Sequence, residues 1–125
     1  MSGITDMAKV RAEEMQILGA WPIHPGTVLR DCVLPGLRLS IIQAARELHI
    51  SRQTLHRILA GTAVITPDMA ARLARLSGVP GRFWLTLQQE YDLARAEAGL
   101  VEVLPRIPAH ALPDTVRTEL NAYAR

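Results

Sequence analysis

Very little of this sequence is aromatic, and almost none of its positive charge is lysine. Phe, Trp and Tyr make up 4% of the 125 residues, although 49% are hydrophobic, so the apolar mass is mainly Ala, Leu, Ile and Val. Ala and Leu favour helices, and the composition predicts an all-α fold. Cys32 is the single cysteine, which excludes an intrachain disulfide and any multi-cysteine zinc or iron–sulfur site. No apolar run approaches the roughly 18 residues of a membrane span. The opening MSGITDMAKVRAEE carries acidic residues where a signal peptide needs an apolar stretch, so no membrane association and a cytoplasmic location are expected.

Catalytic signatures are also missing. There is no HExxH, no GxSxG, no Gly-rich phosphate loop and no paired-carboxylate arrangement, and His24, His49, His56 and His110 share neither a face nor ligand partners. The expectation is a non-enzyme with no cofactor, no metal site and no catalytic residue.

What is present is dense helix punctuation between residues 24 and 99, where five helices fit. The first runs from about Pro25 to Leu34 and stops before Pro35-Gly36, with Val28, Leu29 and Cys32 on its apolar side. His24 belongs to the turn entering it. Ser40 caps the second, Ile41 to Leu48, with Gln43 completing a capping box and Ile41, Ala44, Ala45 and Leu48 buried at helical spacing. Ser51 caps a third that ends at Gly61. The fourth opens on Thr66-Pro67-Asp68 and closes at Gly78. The fifth spans about Arg82 to Ala98, with Phe83, Leu87, Tyr91 and Ala94 on one stripe.

The flanks are less regular. Residues 6–18 have helical composition with a weak apolar stripe, residues 101–113 read as a Pro-containing linker, and residues 114–125 as a marginal helix with Val116, Leu120 and Tyr123 on one side. The expected organisation is an N-terminal extension (1–21), a central domain (22–99) and a C-terminal tail (100–125).

Helices two and three meet the demands of a helix-turn-helix. Ala45 is small where two backbones approach, Ile50 anchors the turn, and Leu55 and Ile58 supply core contacts. His49 occupies the position before Ile50 where a left-handed backbone is common and Gly is the usual choice. The first turn of helix three then presents Ser51, Arg52, Gln53 and Thr54, with His56 and Arg57 one turn further on. Arg pairs with guanine and Gln with adenine in bidentate fashion, Thr suits a thymine methyl or a phosphate, and Ser at a helix N-terminus suits phosphate. Ser40 and Gln43, at the start of helix two, join the expected DNA-binding set. Charge agrees: residues 25–85 hold eight arginines against Asp31, Glu47 and Asp68, and arginine's planar fork matches phosphate and guanine.

Residues 22–98 resemble the HigA family of addiction-module antitoxins, a branch of the Cro/C1-type (XRE) helix-turn-helix proteins with a lambda-repressor-like fold. The resemblance is carried by PIHPGTVLRDCVLPGL, LSIIQAARELHISRQTLHRILAG and ITPDMAARLARLSGVPGRFWLTLQQEYDL. It departs at Thr27, where the family has Glu, at Ile41, where it has Gln, and at Ala60-Gly61-Thr62-Ala63, where it has Asn-Gly and two basic residues. Gln43 stands two residues from the missing amide. The resemblance implies a homodimeric autorepressor on an inverted-repeat operator in double-stranded DNA. It also implies a type II toxin–antitoxin system in which the chain binds and neutralises a HigB/RelE-like ribonuclease toxin.

Two alternatives stand beside that implication: a stand-alone XRE-type transcription regulator, and an interaction module that has lost DNA binding. Two-fold pairing is expected on helix five, through Phe83, Trp84, Leu87, Gln88 and Tyr91, with Leu85 and Leu93 nearby. The flanks, 1–24 and 100–125, are the expected toxin contact.

Overall fold

The structure, a computed structural model, describes residues 22–124, so the expected helix at 6–18 and the N-terminal extension lie outside the described residues save for the last position before Ile23. The chain divides into two compact units, Met1–Arg95 and Ala96–Arg125. Among the described residues every regular element is helical.

Helix α1 is composite: α-helical Pro25–Val28, a π-helical stretch Leu29–Val33, and α-helical Leu34–Leu37. It passes through Pro35-Gly36, where a stop was expected. Pro35 has no N–H to give, and its ring would clash with the carbonyl four residues back, that of Asp31. The wider π turn lies around that carbonyl, with the Leu34 N–H donating to the Leu29 carbonyl instead. The helix ends at Arg38, which takes a left-handed backbone at φ 56°, and the Leu39 N–H closes back on the Leu34 carbonyl at 3.1 Å.

Each following helix starts on a hydroxyl cap. The Ser40 Oγ accepts from the Gln43 N–H at the head of α2 (Ile41–Leu48). The capping box is only half made, because the Gln43 amide donates to Glu47 Oε2 at 2.8 Å rather than turning back. Ser51 caps α3 (Arg52–Leu59) and Thr66 caps α4 (Pro67–Ser77), which has Pro67 in its first turn and Gly78 at φ 75° as its stop. Helix α5 runs from Gly81 to Gly99.

The core of the first unit gathers Leu29 and Leu34 from α1, Ala44, Ala45 and Leu48 from α2, Leu55, Ile58 and Leu59 from α3, Met69, Ala70 and Leu73 from α4, and Trp84 from α5. Trp84 is fully buried, and its Nε1–H has no hydrogen-bond partner. Burying large side chains of this kind stabilises by about 1.5–3 kcal/mol each.

The second unit holds a 3₁₀ turn, Leu104–Arg106, and α6, Asp114–Asn121. It has no buried residue among those described.

Candidate nucleic-acid interface

The turn between α2 and α3 is held from three directions. His49 adopts the left-handed conformation at φ 58°, ψ 44°, and the Ile50 N–H returns to the Ala45 carbonyl at 3.0 Å. Ala45, 1% exposed, leaves room for that close return. Ile50 is half-buried against the core.

The third constraint comes from α4. Arg72 Nη1 donates to the Leu48 carbonyl at 2.8 Å and to the His49 carbonyl at 3.1 Å, while its Nε donates to Asp68 Oδ1 at 2.6 Å. Those carbonyls end α2 and have no partner in their own helix. Asp68 and Arg72 stand at i, i+4 in the sequence, a spacing that reads as a solvated ion pair. Its reach back across 24 residues is a tertiary fact the spacing does not carry.

On this frame the first turn of α3 is set open to solvent. Ser51, Arg52 and Gln53 are exposed and Thr54 is half-buried. Ser51 Oγ accepts from the Thr54 N–H at 3.0 Å and donates to Thr54 Oγ1 at 2.8 Å, so the two hydroxyls form one local unit. The leading amides of α3 have no intrahelical partner and carry the positive end of the helix dipole. His56 and Arg57 are exposed one turn further on, and Ser40 and Gln43 are exposed at the head of α2. Gln43 is engaged with Glu47.

Behind α3 a close approach fixes its C-terminal end. A Cβ on Gly26 would lie 1.8 Å from the Ile58 carbonyl oxygen, so only glycine fits there. His24 caps α1, its Nδ1 accepting from the Gly26 N–H at 2.9 Å, and its ring stands edge-on to Tyr91 with centroids 5.1 Å apart. Burial pushes the His24 imidazole below its ordinary value; a backbone hydrogen bond with Ala63 and the charge of Asp92 oppose that shift. The His-Pro-Gly run is thus a cap, a pre-set first turn and a contact surface for α3.

The residues expected to pair two copies fall mostly inside. Trp84 is fully buried, and Leu87 and Gln88 are buried at 8% and 4% exposure, which corrects their reading as surface. Gln88 has a specific task within the unit: its Oε1 accepts from the Ile65 N–H at 2.9 Å and its Nε2 donates to Asp92 at 3.0 Å. Ile65 lies in the loop leaving α3, so the backbone polar group would otherwise be buried unpaired. Phe83 is half-buried with its ring edge-on to Trp84, and Tyr91 is half-buried with its hydroxyl accepting from Arg95. Leu93, at 56%, is the exposed large apolar side chain of α5.

Two helices joined by a locked left-handed turn, the second presenting its polar first turn to solvent, define a helix-turn-helix protein. The helix-turn-helix domain family matches residues 11–82. Virulence-associated protein I of Dichelobacter nodosus is 40% identical over 75 residues, covering 60% of this chain and 69% of its own. Among solved structures, the Pseudomonas aeruginosa antitoxin HigA with the higBA promoter superposes with a TM-score of 0.67 at 37% identity, covering 73% of this chain and 99% of its own. An addiction-module antidote protein of the HigA family from Coxiella burnetii gives 0.66 at 33% identity, covering 72% and 98%. The chain belongs to the HigA-type, XRE-like family of helix-turn-helix antitoxins and transcriptional regulators. That class is one of DNA-binding proteins, not enzymes. Among the described residues no helix is long and apolar enough to cross a membrane.

Proposed function

We propose that the chain is the antitoxin of a type II toxin–antitoxin system: a two-fold repressor that reads an inverted-repeat operator with α3 and also binds and neutralises a HigB/RelE-like ribonuclease toxin. The observation that carries the DNA-binding half is the exposed first turn of α3, Ser51 to Thr54, on a turn clamped by Arg72. Rigid presentation matters because a base contact demands placement of a side chain in the major groove to within a fraction of an ångström. In this reading Arg52 and Gln53 contact base edges, while Ser51 and the leading amides of α3 meet a phosphate. Thr54, His56 and Arg57 extend the reading face. Ser40, at the head of α2, meets the backbone of the duplex, and Gln43 joins it only by releasing Glu47. What supports the toxin-binding half is family membership.

The test has two arms. Titration of the chain against its own promoter and against a scrambled duplex measures operator reading, and equal affinity for both removes it. Co-expression with the adjacent reading frame measures toxin neutralisation. A stable complex with restored growth supports it, and no complex with a functional operator makes the chain a stand-alone regulator.

A further inference from the structure

The second unit has a property that a finished surface does not. Every described residue from Ala96 to Ala124 is exposed except Val116, which is half-exposed, so the unit has no core of its own. It is nonetheless regularly folded. Successive turns follow one another through hydrogen bonds from the Val103 and Leu104 amides to the Leu100 carbonyl and from the Ile107 amide to the Leu104 carbonyl. Helix α6 spans eight residues, a length that is marginal in water without tertiary packing.

The side chains left open are apolar and regularly spaced. Leu100, Val103, Leu104 and Ile107 recur at three- and four-residue intervals, and Leu120 and Tyr123 lie three apart at the end of α6. Tyr123 is 85% exposed. Taken together, the unit's exposed large apolar residues present on the order of 800 Å², which is the share each partner contributes to an interface of standard size. Contiguous apolar surface on that scale marks a site of association.

Charge selects the occupant. From Ala96 onward the sequence has four acidic residues, Glu97, Glu102, Asp114 and Glu119, against Arg106, Arg117 and Arg125. A nucleic acid calls for a basic surface, and a basic RNA-degrading partner calls for an acidic one. A near-neutral apolar surface is suited to its own copy, because an isologous interface sets the same patch against itself and any strong net charge would repel.

We propose that the segment from Leu100 to Tyr123 is a dimerisation arm that packs against a second copy of this chain. This rests on the reading of the chain as a two-fold operator-binding protein, and it locates the pairing surface on the tail rather than on the buried face of α5.

Sedimentation velocity of the full chain and of L100E/I107E tests it, with circular dichroism confirming that helix content is retained. The expected result is a dimer for the wild type and a dimer dissociation constant raised about 100-fold or more in the variant, as desolvating a carboxylate in an apolar interface requires. Amide hydrogen exchange on the unmodified chain gives a second reading: protection of residues 100–107 and 114–121 should rise with protein concentration through the dimer transition. A dimeric variant, or tail protection that is independent of concentration, overturns the arm while leaving dimerisation itself intact. A wild type that is monomeric at about 100 μM, well above the micromolar range where such interfaces hold, removes the two-fold reading as well. A variant that stays dimeric but loses the toxin complex makes the toxin the occupant and overturns the proposal.

Discussion

Arg72 and Leu48, 24 residues apart, meet at 2.8 Å, guanidinium to carbonyl, and that bond ties the fourth helix to the end of the second. Replacing Arg72 by Ala strips the donor from two helix-end carbonyls at once. The side chain is 39% exposed, so water recovers part of the loss, and a destabilisation of about 1–2 kcal/mol is expected. Arg72→Lys keeps the charge but cannot bond Asp68 and both carbonyls with one planar fork, so it should recover less than half. Urea unfolding of the three proteins measures this; an Ala variant as stable as wild type would show the clamp to be idle.

His49 holds a conformation that costs a side-chain-bearing residue about 1–2 kcal/mol and costs glycine nothing. His49→Gly should therefore stabilise the fold by about 0.5–1 kcal/mol, once the greater freedom of glycine in the unfolded chain is subtracted. At Gly26 the opposite holds. Gly26→Ala drives a methyl group into the Ile58 carbonyl and should cost about 3 kcal/mol or more. Thermal melts that moved the same way for both substitutions would contradict these opposed assignments.

The depressed His24 fixes the sign of a pH effect. The unfolded chain takes up a proton near the ordinary histidine value of 6.5, whereas the folded chain takes it up only at lower pH. Stability contributed by His24 is therefore fully present above pH 6.5 and is lost as pH falls through the window between the two values. His24→Asn preserves an N-cap acceptor and has nothing to titrate there. Its unfolding free energy should be flatter below pH 6.5 than that of the wild type, and an unchanged slope would assign the effect to another group.

The reading face separates into two kinds of contact by what each variant loses. Arg52→Ala or Gln53→Ala should cost about 1–3 kcal/mol on operator and much less on scrambled duplex, because a bidentate base contact discriminates and a phosphate contact does not. Ser51→Ala removes the cap and the bond to the Thr54 hydroxyl, so it should lose about 1 kcal/mol of helix stability and weaken binding to every sequence alike. Arg57→Ala is read from the salt dependence: a phosphate contact lowers the slope by nearly one unit. Titrations at two salt concentrations decide all three, and equal losses on both duplexes would demote Arg52 to a backbone contact.

Local chemistry was legible in the sequence and tertiary chemistry was not. Ser40, Ser51 and Thr66 announced their helices because a cap and the amide it accepts lie within three residues, and His49 announced its left-handed turn for the same reason. The π turn at Leu29–Val33 escaped because proline was read as a stop, whereas the chain widens around it. Trp84 and Gln88 were read as surface because a nineteen-residue helix with apolar residues on several sides does not say which side is covered. Arg72 was passed over because its partners are carbonyls, and carbonyls leave no mark in a sequence.

The Gln88 amide, at once a bond to the Ile65 N–H and a bond to Asp92, has a mechanical meaning. The loop leaving the reading helix hangs from α5 by a buried polar strut rather than by apolar contact alone, and apolar surfaces slide where a directed bond does not. Any rotation of α5 about its own axis must carry Ile65 with it or break that bond inside the protein, away from replacement by water. The bearing of α3 is in this way geared to α5, so a molecule that grips α5 sets the angle at which the reading helix is offered, without touching a single residue of the reading face.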